Sequence, residues 1–180
     1  MKNVLIVNGS VREGRSSDNI LALVQAELAN YPEYGVTVAD FKAMPLPFMT
    51  SALSPSADDF VAPEGHVATW LQIVEDADAI IMLVAEYNHS YTPVIKNAID
   101  WGFKQWQDKP VALVAYGWSG GTRATTHLRG VLGSTINTKT VEAEANLRFM
   151  KDINVDGTVM DQAAVTAAIK APLDELLGSA

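Results

Sequence analysis

Three short, unbroken apolar runs constrain this chain most: Val4–Val7, Ile80–Ala85 and Val111–Ala115, each bounded by polar residues or glycine. A strand apolar on both sides can face water on neither, so such runs belong in the middle of a parallel sheet with helices on both faces. A fourth run, Gly35-Val36-Thr37-Val38-Ala39, alternates and predicts a strand nearer the edge; a weaker fifth lies around Thr138–Val141. Helix-period segments fall between and after them: Asn19–Ala29, His66–Val74, Val94–Phe103, Thr122–Leu132 and the alanine- and leucine-rich Gln162–Leu177. This alternation predicts an α/β fold, a doubly wound five-stranded parallel sheet with right-handed crossovers and ligands at the carboxyl ends of its strands. The loops after Asn8, Ala85 and Tyr116 are where function is expected. One irregular stretch, Lys42–Pro63, holds four of the eight prolines and is too long for a simple connection, so it is expected to cover something.

A length of 180 residues with 48% hydrophobic content suits one core, and we expect a single domain over 1–180. With 13 basic against 21 acidic residues the net charge is −8, which argues against nucleic acid or anionic membrane as partner. There is no cysteine, so disulfides, thiolate nucleophiles and cysteine-ligated metals are excluded, and any redox chemistry must use a borrowed cofactor. Met1-Lys2-Asn3 runs straight into the first strand without a signal-peptide apolar region. The run Ala79–Ala85 falls far short of the roughly 20 residues that span a bilayer. A cytoplasmic location is expected. His66, His89 and His127 share no metal-ligand spacing with nearby carboxylates, and no metal site is expected.

The first loop, from Asn8-Gly9-Ser10-Val11-Arg12 to Glu13-Gly14-Arg15-Ser16-Ser17, opens a helix. Helix-terminal N–H groups, several hydroxyls and two guanidinium groups suit a phosphate monoester. Gly9, Gly14, Arg15 and Ser16 nearly spell a nucleoside-triphosphatase loop, but arginine stands where that loop needs a slim lysine. A serine-rich helix cap with solvated arginines is the plainer alternative.

The second loop, Glu86-Tyr87-Asn88-His89-Ser90-Tyr91-Thr92-Pro93, combines aromatic and amide groups able to wall a flat heteroaromatic ring, and Pro93 suits a first helical turn. Loop padding is the alternative reading of Tyr87 and Tyr91. The third, Tyr116-Gly117-Trp118-Ser119-Gly120-Gly121-Thr122-Arg123, has paired glycines whose amides are expected to face a ligand, with Arg123 favouring negative charge there. Gly117, Ser119 and Gly121 also match a hydrolase nucleophile elbow, but the only later histidine, His127, sits two turns along the following helix. Lys96 and Asp100 are expected to form a surface pair, and Trp101 and Trp106 to pack.

Gly9-Ser10-Val11-Arg12, then Glu86-Tyr87-Asn88-His89-Ser90 with Pro93 and Lys96-Asn97-Ala98-Ile99-Asp100-Trp101, then Asp108-Lys109-Pro110-Val111 leading to Gly120-Gly121-Thr122-Arg123, form a pattern, as does Met44-Pro45-Leu46-Pro47. It resembles the NADPH-dependent FMN reductases, a flavodoxin-like family that includes bacterial quinone, chromate and azo-dye reductases. The resemblance implies that Ser10, Arg12 and Ser17, with Arg15 and Ser16, hold the FMN phosphate. Tyr87, Asn88, Ser119, Gly120 and Gly121 would contact the isoalloxazine, with Glu86, His89, Ser90, Gly117 and Trp118 completing its loops. It also implies NADPH or NADH as donor, a small-molecule acceptor, chemistry on the flavin N5 without a catalytic side chain, and a homodimer or homotetramer with the flavin near the subunit boundary. Two rivals stand beside it: an electron-carrier flavodoxin serving protein partners, and a flavin-free enzyme on the same fold.

Overall fold

A computed structural model describes residues 1–134 and 136–178. Its five strands, β1 (Lys2–Asn8), β2 (Tyr34–Asp40), β3 (Ala79–Ala85), β4 (Pro110–Gly117) and β5 (Lys139–Arg148), pair in the order β2-β1-β3-β4-β5, all parallel. Five α-helices alternate with them: α1 (Ser17–Leu28), α2 (His66–Glu75), α3 (Pro93–Asp100), α4 (Thr122–Leu132) and α5 (Gln162–Leu177).

The unbroken apolar runs are double-sided, as their composition requires. In β1, Leu5 and Val7 enter one core with Trp70 and Val74 of α2, Ile95 of α3 and Leu128 of α4; Val4 and Ile6 enter the other with Ile20 and Val24 of α1 and Val165 and Ile169 of α5. Because the chain leaves β1 toward β2 and then returns to β3 on its other side, the sheet has its switch point between β1 and β3. A crevice for ligand opens there at the carboxyl ends.

Two local readings differ appreciably from the structure. The fifth strand runs to Arg148, not Val141: of the glutamates that disguise it, Glu142 is exposed and Glu144 pairs with Arg129 of α4, which also donates to Val141 O. The helix expected over Val94–Phe103 ends at Asp100, and a short 3₁₀ turn, Lys104–Trp106, follows Gly102 and buries Trp106. Pro93 is within α3 at its start, and Thr92 caps it by accepting from Ile95 N.

The proline-rich stretch covers the α2–α3 side of the sheet, where Met44, Leu46, Met49 and Phe60 pack on the core. Its backbone is pinned by Asn97, which donates to Pro47 O at 2.9 Å and accepts from Met49 N at 3.0 Å, and by Trp101 Nε1 donating to Pro47 O at 2.8 Å. Trp101 and Trp106 are buried, and Lys96 pairs with Asp100 at 2.6 Å.

Candidate functional site

The loops after β1, β3 and β4 enclose three adjoining cavities of about 110, 330 and 430 Å³, and Glu86 lines all three. The smallest lies at the first turn of α1, where main-chain N–H groups have no intrahelical acceptor. Gly9 brings the loop there: its carbonyl accepts from Thr92 Oγ1 at 2.7 Å, and a Cβ on it would lie 2.4 Å from Ile95 Cγ1.

Hydroxyl groups gather at this end. Ser10 is buried with its Oγ 3.2 Å from the Tyr87 hydroxyl, while Ser17 Oγ and the Tyr116 hydroxyl are buried with no hydrogen-bond partner. Burial raises the Tyr116 phenol from 10.0 to about 12, with Ser17 opposing, so it stays a neutral donor. Arg12 is exposed beside the Tyr87 ring, 5.9 Å from its centroid, and makes no ion pair among the described residues. Donor hydroxyls without acceptors, a free cation and a helix N-terminus together suit a ligand with several anionic oxygens, and a phosphate monoester fits.

Arg15 and Ser16 line the small cavity and are also engaged within the protein. Arg15, with 7% of its side chain exposed, forks onto Asp40 at 2.7 and 2.5 Å, donates to Asp18 at 2.8 Å and to Ser10 O at 2.5 Å. Its charge is offset before any ligand arrives, so it braces the loop from β2. The pairing raises the Arg15 pKa and holds the Asp40 carboxyl below its usual range. Ser16 does not cap α1 with its hydroxyl, which instead donates to Val155 O at 2.7 Å.

On the other side, Asn88, His89, Trp118, Ser119 and Arg123 join Glu86 around the widest cavity. Asn88 and His89 turn the backbone at φ 47° and 67°, and Tyr87 and Ser90 close the turn by mutual hydrogen bonds. The Glu86 carboxylate, 8% exposed, accepts from Ser119 Oγ at 2.8 Å and has Arg123 Nη1 at 3.6 Å. Ser119 is thus committed to Glu86, and His127 Nδ1 lies 3.1 Å from Ser90 Oγ instead, so among the described residues Ser119 has no histidine partner for the hydrolase reading.

The paired glycines are demanded by the packing behind them. A Cβ on Gly121 would sit 2.7 Å from Ala115 Cβ and 2.8 Å from Tyr116 N, and Gly120 abuts Asn146 O. Both have positive φ, and the Gly120 amide is used by Gly117 O. Their smallness lets the turn fold back on β4 and β5. Ser17, Ser90, Gly117, Gly120 and Gly121 stand behind the cavity walls; the other expected residues line them.

Three wall residues escape sequence reasoning. Tyr116 is the last apolar-run neighbour of β4, and Phe149 and Val155 follow the disguised fifth strand. Phe149 meets both Tyr116 and Trp118 edge-on, at 6.2 and 5.8 Å, and supports the largely exposed Trp118. The aromatic content of Leu147-Arg148-Phe149 was the available signal.

Comparison with known proteins agrees with this geometry. The NADPH-dependent FMN reductase family profile matches residues 2–151. An NAD(P)H-dependent FMN reductase of Saccharomyces cerevisiae is 30% identical over 138 residues, 71% of each chain. A 2-hydroxy-1,4-benzoquinone reductase of Burkholderia sp. is 32% identical over 136 residues, 71% of this chain and 68% of that one. Among solved structures, the flavoenzyme NAD(P)H:(acceptor) oxidoreductase FerB of Paracoccus denitrificans superposes with a TM-score of 0.76 at 25% identity, over 98% of this chain and 97% of that one.

Proposed function

Because the chain belongs to the NADPH-dependent FMN reductase family, and so is an FMN-dependent NAD(P)H oxidoreductase acting on small acceptors, we propose that FMN lies along the three cavities that share Glu86. Its phosphate end is assigned to Ser10, Arg12, Ser17 and Tyr116, and its ring to the wall of Tyr87, Asn88, Glu86, Ser119 and Trp118. The observation that carries this is the buried hydroxyl of Tyr116, which lines the small cavity beside the first turn of α1 without a hydrogen-bond partner. A buried donor without an acceptor costs about 1–3 kcal/mol, and a phosphate oxygen would remove that penalty.

Bound FMN supplies two-electron chemistry, accepting hydride from reduced nicotinamide and passing it to the acceptor. The chain's own residues bind, orient and exclude. Arg12 offsets phosphate charge, Arg15 fixes the loop through Asp40, and Tyr87 gives a flat apolar surface. Glu86 is held by Ser119 and faced by Arg123, so its charge is partly offset where the cavities meet. Trp118, braced by Phe149, forms an open aromatic shelf for a planar partner.

Quinones are the acceptor class we favour, on the strength of the aromatic shelf and the quinone reductases among the relatives. A homodimer or homotetramer is proposed as well, in keeping with Trp118 and Met150 being 70% and 58% exposed beside the site. We further propose a single domain over 1–180 and a cytoplasmic setting. Among the described residues, no helix is long and apolar enough to cross a membrane.

The test is anaerobic: protein loaded with FMN is mixed with NADH or NADPH, then with a benzoquinone. Rapid bleaching of the flavin by one nucleotide and recolouring by the quinone is the expected result. Bound flavin that neither nucleotide reduces would favour an electron carrier, and failure to bind FMN would overturn the site assignment.

A further inference from the structure

Residues 152–161, between β5 and α5, take no part in the reading above except through Val155, and they lie outside the stretch matched by the family profile. They form a tight hairpin. Ile153 is fully buried and bridges to Phe149 and Val159; Asn154 N donates to Thr158 O at 2.7 Å, and Gly157 N to Asn154 O at 2.9 Å. The Asp156 carboxylate accepts from Thr158 N and Oγ1, closing the tip.

That tip rests on the first turn of α1. Ser16 Oγ donates to Val155 O at 2.7 Å and Asn19 Nδ2 to Asp156 O at 3.0 Å. At Gly157, φ is 87° and an added Cβ would lie 2.3 Å from Ser16 O, so main chain meets main chain with no room for a methyl group. Val155 meanwhile lines the same 110 Å³ cavity as Ser10, Arg12 and Tyr116. The phosphate end is therefore closed by backbone on the hairpin side.

We propose that the 153–157 hairpin is a stop that lets the site accept a flavin ending in a phosphate monoester and rejects one whose phosphate continues into a pyrophosphate. The inference rests on the assignment of the small cavity to the FMN phosphate. A second phosphate leaving that cavity on the hairpin side must part the Ser16–Val155 and Asn19–Asp156 contacts. Mononucleotide selection then resides in this chain's own C-terminal hairpin, not in the phosphate loop alone.

The experiment measures dissociation constants of riboflavin, FMN and FAD by quenching of flavin fluorescence, without turnover. For the unaltered protein we expect FMN tightest, with FAD weaker by about a hundredfold. Replacing residues 154–158 by a two-glycine turn should bring FAD within about tenfold of FMN. The double variant Ser16→Ala, Asn19→Ala, which removes both side-chain donors to the hairpin and leaves its internal bonds in place, should move the ratio the same way if the shortened form does not fold. FAD binding as tightly as FMN to the unaltered protein, or an unchanged ratio in the folded variant, would overturn the stop while leaving the phosphate assignment intact. Riboflavin binding as tightly as FMN would overturn the phosphate assignment and the stop with it.

Discussion

Tyr116 holds two opposed demands in one atom. Its hydroxyl is buried without a partner, a cost to the empty protein, yet it stands where an anionic oxygen is expected. Tyr116→Phe should therefore leave the flavin-free protein as stable or up to about 1 kcal/mol more stable, while weakening FMN about tenfold. Denaturant unfolding and a flavin titration on the same sample check both signs; a variant destabilised in both states would mean a purely structural hydroxyl. Asp40 works in reverse. Its carboxyl is depressed from 3.8 by its bond to Arg15, so it contributes stability above pH 3.8 that is lost as pH falls from there through its folded value. Asp40→Asn should cost about 1.5–3 kcal/mol at neutral pH, since a charged hydrogen bond is lost around a nearly buried guanidinium. The gap between the variant and the parent should narrow below about pH 4, measured by urea unfolding across that range.

At the scale of elements, Thr92 links two loops that meet at the site. Its Oγ1 accepts from Ile95 N, capping α3, and donates to Gly9 O, holding the phosphate loop against that helix. Thr92→Val keeps the shape and removes both bonds, so a loss of about 1–2 kcal/mol is expected in thermal unfolding, together with weaker FMN binding. What could be read from sequence follows from this kind of locality. The helices Thr122–Leu132 and Gln162–Leu177 match their sequence bounds, because their apolar period and end signals lie within the segment. Gly9, Ser10 and Arg12 were legible as one loop because they are neighbours in the chain. The brace on Arg15 was not, because its partner is Asp40, twenty-five residues away, and only the β1–β2 register that sets Asn8 beside Asp40 brings them together. The 153–157 hairpin was invisible for a similar reason, since it is held to α1 by carbonyl groups, which any sequence possesses. Gly120 and Gly121 were legible as glycines, but the packing that demands them, the close approach of β4 and β5 from behind, was not.

For the whole molecule, the site is a junction of parts distant in sequence: β1's loop and α1, the loops after β3 and β4, and the hairpin before α5. A ligand that binds only when all are in place adds its binding free energy to global unfolding. At a free FMN concentration of a hundred times its dissociation constant this is about 2.7 kcal/mol. A chain of this size gains about 2–4 °C per kcal/mol, so Tm should rise by roughly 5–10 °C. The rise should shrink with added salt, because Arg12 is an uncompensated, exposed cation on a chain of net charge −8, and screening weakens its attraction for phosphate. Arg12→Ala should lose both the affinity, by about tenfold or more, and most of that salt dependence, read by calorimetry at two ionic strengths. Hydrogen exchange locates the effect: amides in the first turn of α1 and in the 152–161 segment should slow together on FMN binding, since Ser16 and Asn19 tie one to the other. Protection confined to α1, with the hairpin unchanged, would mean that the phosphate is held without closing the C-terminal part of the chain around it.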